Sequence, residues 1–543
     1  MLSFALLVLI FIGANPSWAT DYYVDQSHPS ANDQNPGTIA QPWRTITKAN
    51  QTLTAGDTLY IKGGIYNSYI APNNSGTSSN RITYRNYGTD VVTISGTTYV
   101  VYLNGKSYIT VTGINGTNFY SGIVMTGNST YNIISYGIFG PSNSVNWDVS
   151  YIRGTSQYNW IHHCTFYQGG GNAGGDDRGM VFDIGIDDDG THLYNPYYAH
   201  YNLIEDNIFY WGGHHVFGLY SRYNTVRNNY FHNEVWSNGY GNRVLFSNGY
   251  TNPVGGGVGD NLVEGNKFGY SAESIDNGVV SNIAMCTPYN IIRYNKIYHS
   301  NGEGITFYAY SPTMPEVAKG ANNKVYNNTF FNNGYGVSGG NHDSAIYFQQ
   351  PGYAINNVFK NNLYYSHYQV YAGTTSDQIF ANEFNGDVSG NPKFMVANTT
   401  PPADKTNSSI PDLNLQSDSP AINAGGALTT VAVADTGSGT SLVVSDARYF
   451  QYGQYAPSGT VYADWIAVGT VNNTVQISSI NYSTNTITLA NSISRNDNDS
   501  VWLYKKSDGV QVLYGSAPDA GAYEFTQTEA PSPPRNLRIE SSN

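Results

Sequence analysis

Three stretches of this 543-residue chain hold side chains able to do chemistry. The first is QGGGNAGGDDRGMVFDIGIDDDGTHLYNPYY, from Gln168 to Tyr198. Its Asp176-Asp177-Arg178 sets two carboxylates beside a guanidinium. Glycosidic-bond hydrolysis needs such a carboxylate pair: one protonated to donate to the leaving oxygen, the other ionised to activate water or attack carbon. Asp187-Asp188-Asp189-Gly190, with Asp183 nearby, could collect oxygen ligands for Ca2+, although the spacing is not that of an EF-hand loop. The competing reading of both acidic runs is a solvated turn. The second stretch, WGGHHVFGLYSRYN from Trp211 to Asn224, places His214-His215 after two glycines. Successive side chains on a strand point to opposite faces, so at least one of these imidazoles should be exposed. A histidine there could act as acid or base near neutral pH. The third runs from His232 to Asp260 and carries Glu234, Trp236, Tyr240, Phe246 and Tyr250 among Gly and Asn. Tyr and Trp faces stack on sugar rings with little entropy loss.

The elements that position these stretches come from a repeat. A unit of Asn, any, apolar, any, any, Asn, any, apolar or aromatic recurs as NLIEDNIF from Asn202, NTVRNNYF from Asn224 and NLVEGNKF from Asn261. It continues as NIIRYNKI from Asn290, NKVYNNTF from Asn323 and NVFKNNLY from Asn357, with weaker copies from Asn132 and Asn159. Spacings run from 22 to 43 residues, and the longer ones hold the glycine-rich inserts. One apolar column reads Ile134, Ile161, Ile204, Val226, Val263, Ile292, Val325, Phe359. A second reads Phe139, Phe166, Phe209, Phe231, Phe268, Ile297, Phe330, Tyr364, and both must face a core. Between them Asn207, Asn229, Asn266, Asn295, Asn328 and Asn362 form a column that predicts an internal amide ladder, with Asn tolerating left-handed backbone. Two short strands around an Asn turn, repeated this way, predict coils of a right-handed parallel β-helix. A β-propeller blade needs four strands in about 40 to 45 residues, so the shortest spacing excludes it.

The register of this repeat brings candidates together. His162 and His163 lie one coil before His214 and His215, and His232 and Glu234 one coil after. These side chains are expected around the foot of the acidic insert, with backbone-bonded structural histidines as the alternative. A charged column of His162, Glu205, Arg227, Glu264, Arg293, Tyr326 and Lys360 predicts an outward, solvated salt-bridge ladder. A second aromatic column, Tyr167, Tyr210, Tyr298, Phe331 and Tyr365, could extend a sugar platform or simply stabilise the stack. Cys164 replaces an inward Asn and Cys286 lies several coils away, so two free, buried thiols are expected.

Composition narrows the field. Charged residues make up 12% of the chain, while Gly (58) and Tyr (48) are abundant. Good helix formers are scarce, which argues against coiled coils, helical arrays and helical membrane proteins. With 40% hydrophobic residues the chain can build a large core, so disorder is excluded. The net charge of −13 disfavours nucleic acid as a partner, and a polyanionic ligand would need a local basic patch or a bridging metal. Residues 1–19 read as a signal peptide cleaved after Ala19, although the usual basic n-region is missing. The mature chain is expected to lack a membrane span and to be a secreted or cell-surface monomer.

The repeats and two flanking motifs resemble bacterial exported proteins of the right-handed parallel β-helix (pectate-lyase-like) superfamily. The opening DYYVDQSHPSANDQNPGTIAQPWRTITKANQTLTAGDTLYIKGGIY from Asp21 to Tyr66 looks like an N-terminal cap, with a short helix over Thr45 to Leu53. DLNLQSDSPAINAG and APDAGAYEF resemble closing coils split by an insertion. The resulting organisation is all-β: a capped parallel β-helix over 20–425, an inserted β-rich domain over 426–515, a closing segment over 516–528 and a Pro-rich tail over 529–543. The resemblance implies action on a polysaccharide, by lyase or hydrolase cleavage or by epimerisation. Asp176-Asp177 is similar to the doublet of polygalacturonase-type hydrolases, but their basic RIK-like segment is absent here. Lyases of this fold use a Lys or Arg base and a cation, for which Arg178, Arg222 and Arg227 are the nearby candidates. The expected site comprises Asp176, Asp177, Arg178, His214 and His215 for catalysis. His163, His232, Glu234, Trp211 and Trp236 would bind substrate, and Asp183, Asp187 and Asp189 would hold Ca2+. The superfamily also contains adhesins, so a non-catalytic surface or carbohydrate-binding protein is the alternative.

Overall fold

A computed structural model describes residues 19–143, 149–168, 180–185, 199–212, 215–233, 243–248, 259–271, 281–309, 313, 319–334, 343–349, 351–398 and 410–526, with backbone alone for 243, 244 and 246–248. Residues 1–18, within the expected signal peptide 1–19, and the tail beyond 526 lie outside these residues. Among the described residues no helix is long and apolar enough to cross a membrane.

The main body is a parallel β-helix with three long sheets. Sheet 1 stacks 13 strands from Asp21–Val24 to Ile379–Ala381. Sheet 2 stacks 12, from Gly64–Tyr66 to Phe384–Asn385, and sheet 3 stacks 10, from Tyr99–Asn104 to Gln369–Gly373. One coil shows the pattern. Leu203–Glu205 lies in sheet 1, Ile208–Tyr210 in sheet 2 and His215–Leu219 in sheet 3, and Thr225–Arg227 then starts the next coil in sheet 1.

Two side-chain amide ladders bracket sheet 1. Asn295 displays one rung: its backbone N–H and its Nδ2 both donate to Asn328 Oδ1 (2.9 and 3.0 Å), and Nδ2 also donates to the Val263 carbonyl (2.9 Å). Its own Oδ1 accepts the backbone N–H and Nδ2 of Asn266 (2.9 and 3.0 Å). The same pattern joins Asn207, Asn229, Asn266, Asn328 and Asn362. A second ladder of Asn132, Asn159, Asn202, Asn224, Asn261, Asn290, Asn323 and Asn357 precedes sheet 1. These amides are buried and fully paired, as interior polar groups must be. The left-handed backbone falls one residue earlier than the ladder. Asp206, Asn228, Tyr294 and Asn327 have φ of 54°, 56°, 57° and 50°. The corner residue, rather than the ladder Asn, carries the positive φ, because the ladder amide must point inward while its predecessor reverses the chain.

The predicted apolar columns face inward. Phe139, Phe166, Phe209, Phe231 and Phe268 stack with ring centroids 5.0–5.1 Å apart. Cys164 fills the place of a ladder Asn: its N–H donates to Asn207 Oδ1 (2.9 Å), and its thiol donates to the Ile134 and His162 carbonyls (3.8 and 3.4 Å). Both cysteines are free and buried, and burial pushes the Cys164 thiol up to about 12. At the start of the solenoid the helix Ile46–Thr52 buries Ile46 and Ala49, and Thr45 Oγ1 accepts its Lys48 N–H (3.2 Å).

A six-stranded antiparallel sheet is inserted after the last coils, in the order Thr429–Thr430, Ser500–Lys505, Trp465–Val468, Thr474–Asn481, Thr486–Arg495, Gly437–Val443. Its apolar side chains share one cluster with Leu262, Ile291, Tyr294, Tyr326 and Val358, so it docks on the outer face of sheet 1. The charged column is therefore buried rather than solvated. Arg227 pairs with Glu205 (2.6 Å) and Arg293 with Glu264 (2.6 Å), and both Arg293 and Glu264 have no exposed side-chain surface. Asp464 of the inserted sheet closes the cluster, accepting from Arg293 Nη1 and Nη2 at 2.7 Å each. Burial alone would lower the Arg293 pKa, but Asp464, Tyr326 and Glu264 around it raise it well above the ordinary value. The chain then returns to the solenoid, where Gly521 N–H donates to Asn361 O (2.8 Å) and Ala522 N–H to Thr329 Oγ1 (2.9 Å).

Two outcomes are expected. Arg293→Ala leaves Glu264 and Asp464 buried without a counter-charge and should cost about 3–5 kcal/mol, read as a lower denaturant midpoint. The second concerns Glu383, which ends the ladder beyond Asn362 and accepts hydroxyl hydrogen bonds from Tyr364 (2.5 Å) and Tyr371 (2.9 Å). Burial raises its carboxyl to about 7, against the opposing hydrogen bonds of Tyr364, Asn362 and Tyr371. The folded state thus holds this proton more tightly than the unfolded chain. Its stabilising contribution is complete below the ordinary carboxyl range and is lost as pH rises towards 7. Thermal unfolding of the wild type should therefore lose ground to Glu383→Gln between these pH values, and parallel pH profiles would contradict this.

Candidate functional site

From Leu203 to Leu363 the border between sheets 1 and 2 is uniform, because each coil turns there through one left-handed residue and one ladder amide. The long connections all attach at sheet 3 instead. Residues 169–179 follow the sheet 2 strand Thr165–Tyr167 and precede Phe182–Ile184 of sheet 3, and 186–198 follow that strand. Residues 234–242 and 249–258 flank Arg243–Asn248, and 272–280 and 335–342 likewise lead into sheet 3 strands. The chain thus carries its inserts along the two borders of one sheet, where solenoids gather binding loops.

The foot of the acidic insert is described. Tyr167, Tyr210 and His232 are register partners on the outer face of sheet 2. Their rings stack at 5.1 and 4.9 Å, nearly parallel. Tyr230 adds a ring 4.4 Å from His232. Trp211 follows Tyr210 with φ of 60°, and its indole stands across the stack, 78° to Tyr210 and 76° to Tyr167. It keeps 38% of its surface exposed, whereas His232 in the stack is buried. The left-handed turn at Trp211 is what lifts the indole out of the stack. Gln168, at the point where the acidic insert leaves, has the same backbone (φ 53°).

The other expected site residues separate into groups. Asp176, Asp177, Arg178, Asp187, Asp189, His214, Glu234 and Trp236 lie outside the described residues. His215 opens the sheet 3 strand His215–Leu219 and is buried. Asp183 is fully buried in sheet 3, and its two oxygens face the Arg153 guanidinium (3.4 and 3.0 Å). Any calcium site would therefore depend on Asp187 and Asp189. Among the described residues no three His, Cys, Asp or Glu side chains form a metal cluster.

His162 and His163 occupy a different corner from the one expected. They sit where sheet 1 turns into sheet 2, at the opposite end of Thr165–Tyr167 from the acidic insert. The repeat fixes which coil a residue belongs to, but the three-sided section of the coil decides which border it reaches. There His163 stacks on exposed Tyr136 (4.9 Å), its Nε2 lies 4.0 Å from Asp206 Oδ2, and its Nδ1 lies 2.9 Å from His162 Nδ1. Burial and then the neighbouring His163 lower the His162 pKa to about 4, so His162 is neutral at physiological pH. Tyr136 also borders a groove of about 440 Å³ with Arg85, Asp90, Thr112 and Asn115. The sequence repeat is weakest in these early coils, which is why the groove escaped a reading based on columns.

No family model matches the chain. A stretch of 84 residues is 40% identical to the uncharacterized protein YwoF of Bacillus subtilis (strain 168), covering 15% of this chain and 17% of that protein. The match thus spans less than a fifth of that relative's length. Among solved structures, pectate lyase Pel9A is similar at 14% identity over 78% of this chain and 94% of its own, with a TM-score of 0.43. An alginate lyase from Paenibacillus sp. str. FPU-7 is similar at 14% identity over 63% of this chain and 97% of its own, with a TM-score of 0.38. A GH136 lacto-N-biosidase from Eubacterium ramulus is similar at 13% identity over 66% and 68%, with a TM-score of 0.34.

Proposed function

We propose that this protein is exported and acts on a polysaccharide, cleaving it as a lyase or hydrolase or epimerising it, in a groove along the border of sheets 2 and 3. The observation that carries this reading is the half-exposed Trp211 indole, standing on the Tyr167–Tyr210–His232 stack at the foot of the acidic insert. An indole fixed by its neighbours offers a flat apolar face at little entropic cost, which suits a pyranose ring. A polymer running along the solenoid axis would meet coil after coil at about the 4.8 Å strand spacing, so one glycan chain could touch several inserts at once.

In this reading Asp176 and Asp177 form the acid/base pair, Arg178 orients the chain and His214 assists proton transfer. Buried His215 would act through its neighbours as a positioning residue. Asp187 and Asp189 are the residues that could hold Ca2+.

The test is a panel of acidic and neutral glycans assayed with the full chain. New absorbance near 235 nm reports elimination, and new reducing ends without it report hydrolysis. Asp176→Asn with Asp177→Asn should abolish turnover while Tm barely changes. Trp211→Ala should weaken glycan binding at an unchanged Tm. Glycan binding with neither product would identify a carbohydrate-binding surface protein and overturn the enzymatic reading.

A further inference from the structure

The outer row of sheet 2 runs Ile208, Tyr230, Lys267, Lys296, Thr329, Leu363 by strand register. Ile208, Tyr230 and Leu363 are buried in a cluster with Phe394, Leu413, Leu415 and Ala520 of the closing segments. In the middle of this apolar row two lysines stand directly opposite each other on adjacent strands, both half-buried. Like charges placed opposite each other in a sheet repel. Burial makes this worse, because it weakens solvent screening.

The buried cations meet carboxylates: Arg227 has Glu205, Arg293 has Glu264 and Asp464, Lys324 has Asp446, Arg495 has Asp435, and Lys506 has Asp508. Half-buried Lys360 rests instead on the Leu428 carbonyl and over the Tyr449 ring. Lys267 and Lys296 have no such partner among the described residues. Asp412 favours the charged form of Lys267 and Asp508 that of Lys296, but neither closes to an ion pair, and Asp508 is paired with Lys506 and accepts from the Val510 N–H. Lys296 Nζ lies 4.2 Å over the Tyr523 ring, which supports a cation without neutralising it. Burial, then the charges of Lys267 and Lys506, lower the Lys296 pKa to about 7, and Asp508 only partly opposes them.

We propose that Lys267 and Lys296 form a binding site for a small oxyanion, a phosphate, sulfate or carboxylate group, in the seam between sheet 2, the inserted sheet and the closing segment. Two ammonium groups on neighbouring strands can donate to two oxygens of one such group. The bound anion would replace the missing counter-charge and lock the closing segment, through Tyr523, to the solenoid. This site is independent of the glycan reading, since it needs neither the acidic insert nor Trp211.

The test is thermal unfolding of the full chain at pH 7 with sodium phosphate, sodium sulfate or sodium glucuronate, each against sodium chloride at matched ionic strength. At least one oxyanion should raise Tm saturably above the chloride control, and which one does so names the head group. The rise should vanish in Lys267→Met and in Lys296→Met, which keep the apolar stem and can be checked for folding by their own Tm in chloride. A second readout is acetylation of Lys296 followed by mass spectrometry, which the stabilising anion should slow by holding the amine protonated. Equal Tm in all three oxyanions and chloride would overturn the proposal. So would an undiminished rise in both lysine variants.

Discussion

The buried side-chain amide is the constraint from which the rest of this molecule follows. Each ladder Asn accepts two hydrogen bonds from the coil on one side and returns two to the coil on the other, inside an apolar core. An unpaired buried amide would cost about 1–3 kcal/mol per lost partner, so a coil that slips in register forfeits several such bonds together. The ladder therefore holds the coils in register and restricts the turn between sheets 1 and 2 to one left-handed residue and one amide. At the other ladder, where the chain enters sheet 1, even tyrosines accept left-handed backbone, as at Tyr158, Tyr201 and Tyr223. Their rings then stack along the corner at 5.1 and 5.5 Å.

This constraint divides the solenoid into faces with different freedom. Where the ladder runs, the border of sheets 1 and 2 carries no insertion, and variation in coil length falls at the borders of sheet 3. Sheet 1 loses the outer surface of its later coils to the inserted sheet, through an apolar cluster and the Arg293–Glu264–Asp464 charge cluster. Sheet 2 is covered over its later coils by the closing segments. The inserts at the borders of sheet 3 are where the sequence concentrates Gly, carboxylates and aromatic side chains. The separation lets a rigid body carry chemically varied loops without paying for them in fold stability.

Much of this was legible in the sequence, because the repeat writes each coil in the same code. The two apolar columns, the Asn ladder and the buried state of Cys164 follow from residues that meet their own equivalents one coil away, and the capping helix from the resemblance of the opening segment. The charged column was misread for the complementary reason. Glu264 and Arg293 pair as their alternation implies, but their burial depends on Asp464, which lies 171 residues beyond Arg293 and outside the repeat. His162 and His163 were assigned to the right coil and the wrong corner, since sequence spacing alone does not show how a coil divides into three sides. The unpaired lysines were invisible for the same reason: Lys267 and Lys296 occupy ordinary outer positions until the closing segments pack over them.

Hydrogen–deuterium exchange on the full chain tests the ladder account most directly. The backbone amides of Asn207, Asn229, Asn266, Asn295 and Asn328 should be among the slowest in the molecule. Asn295→Ala should speed exchange at Asn266, whose N–H loses its acceptor, more than at strand amides one coil further away. Ladder amides that exchange as fast as exposed turn amides, or an Asn266 amide untouched by the substitution, would contradict the claim that these side chains hold the coils in register.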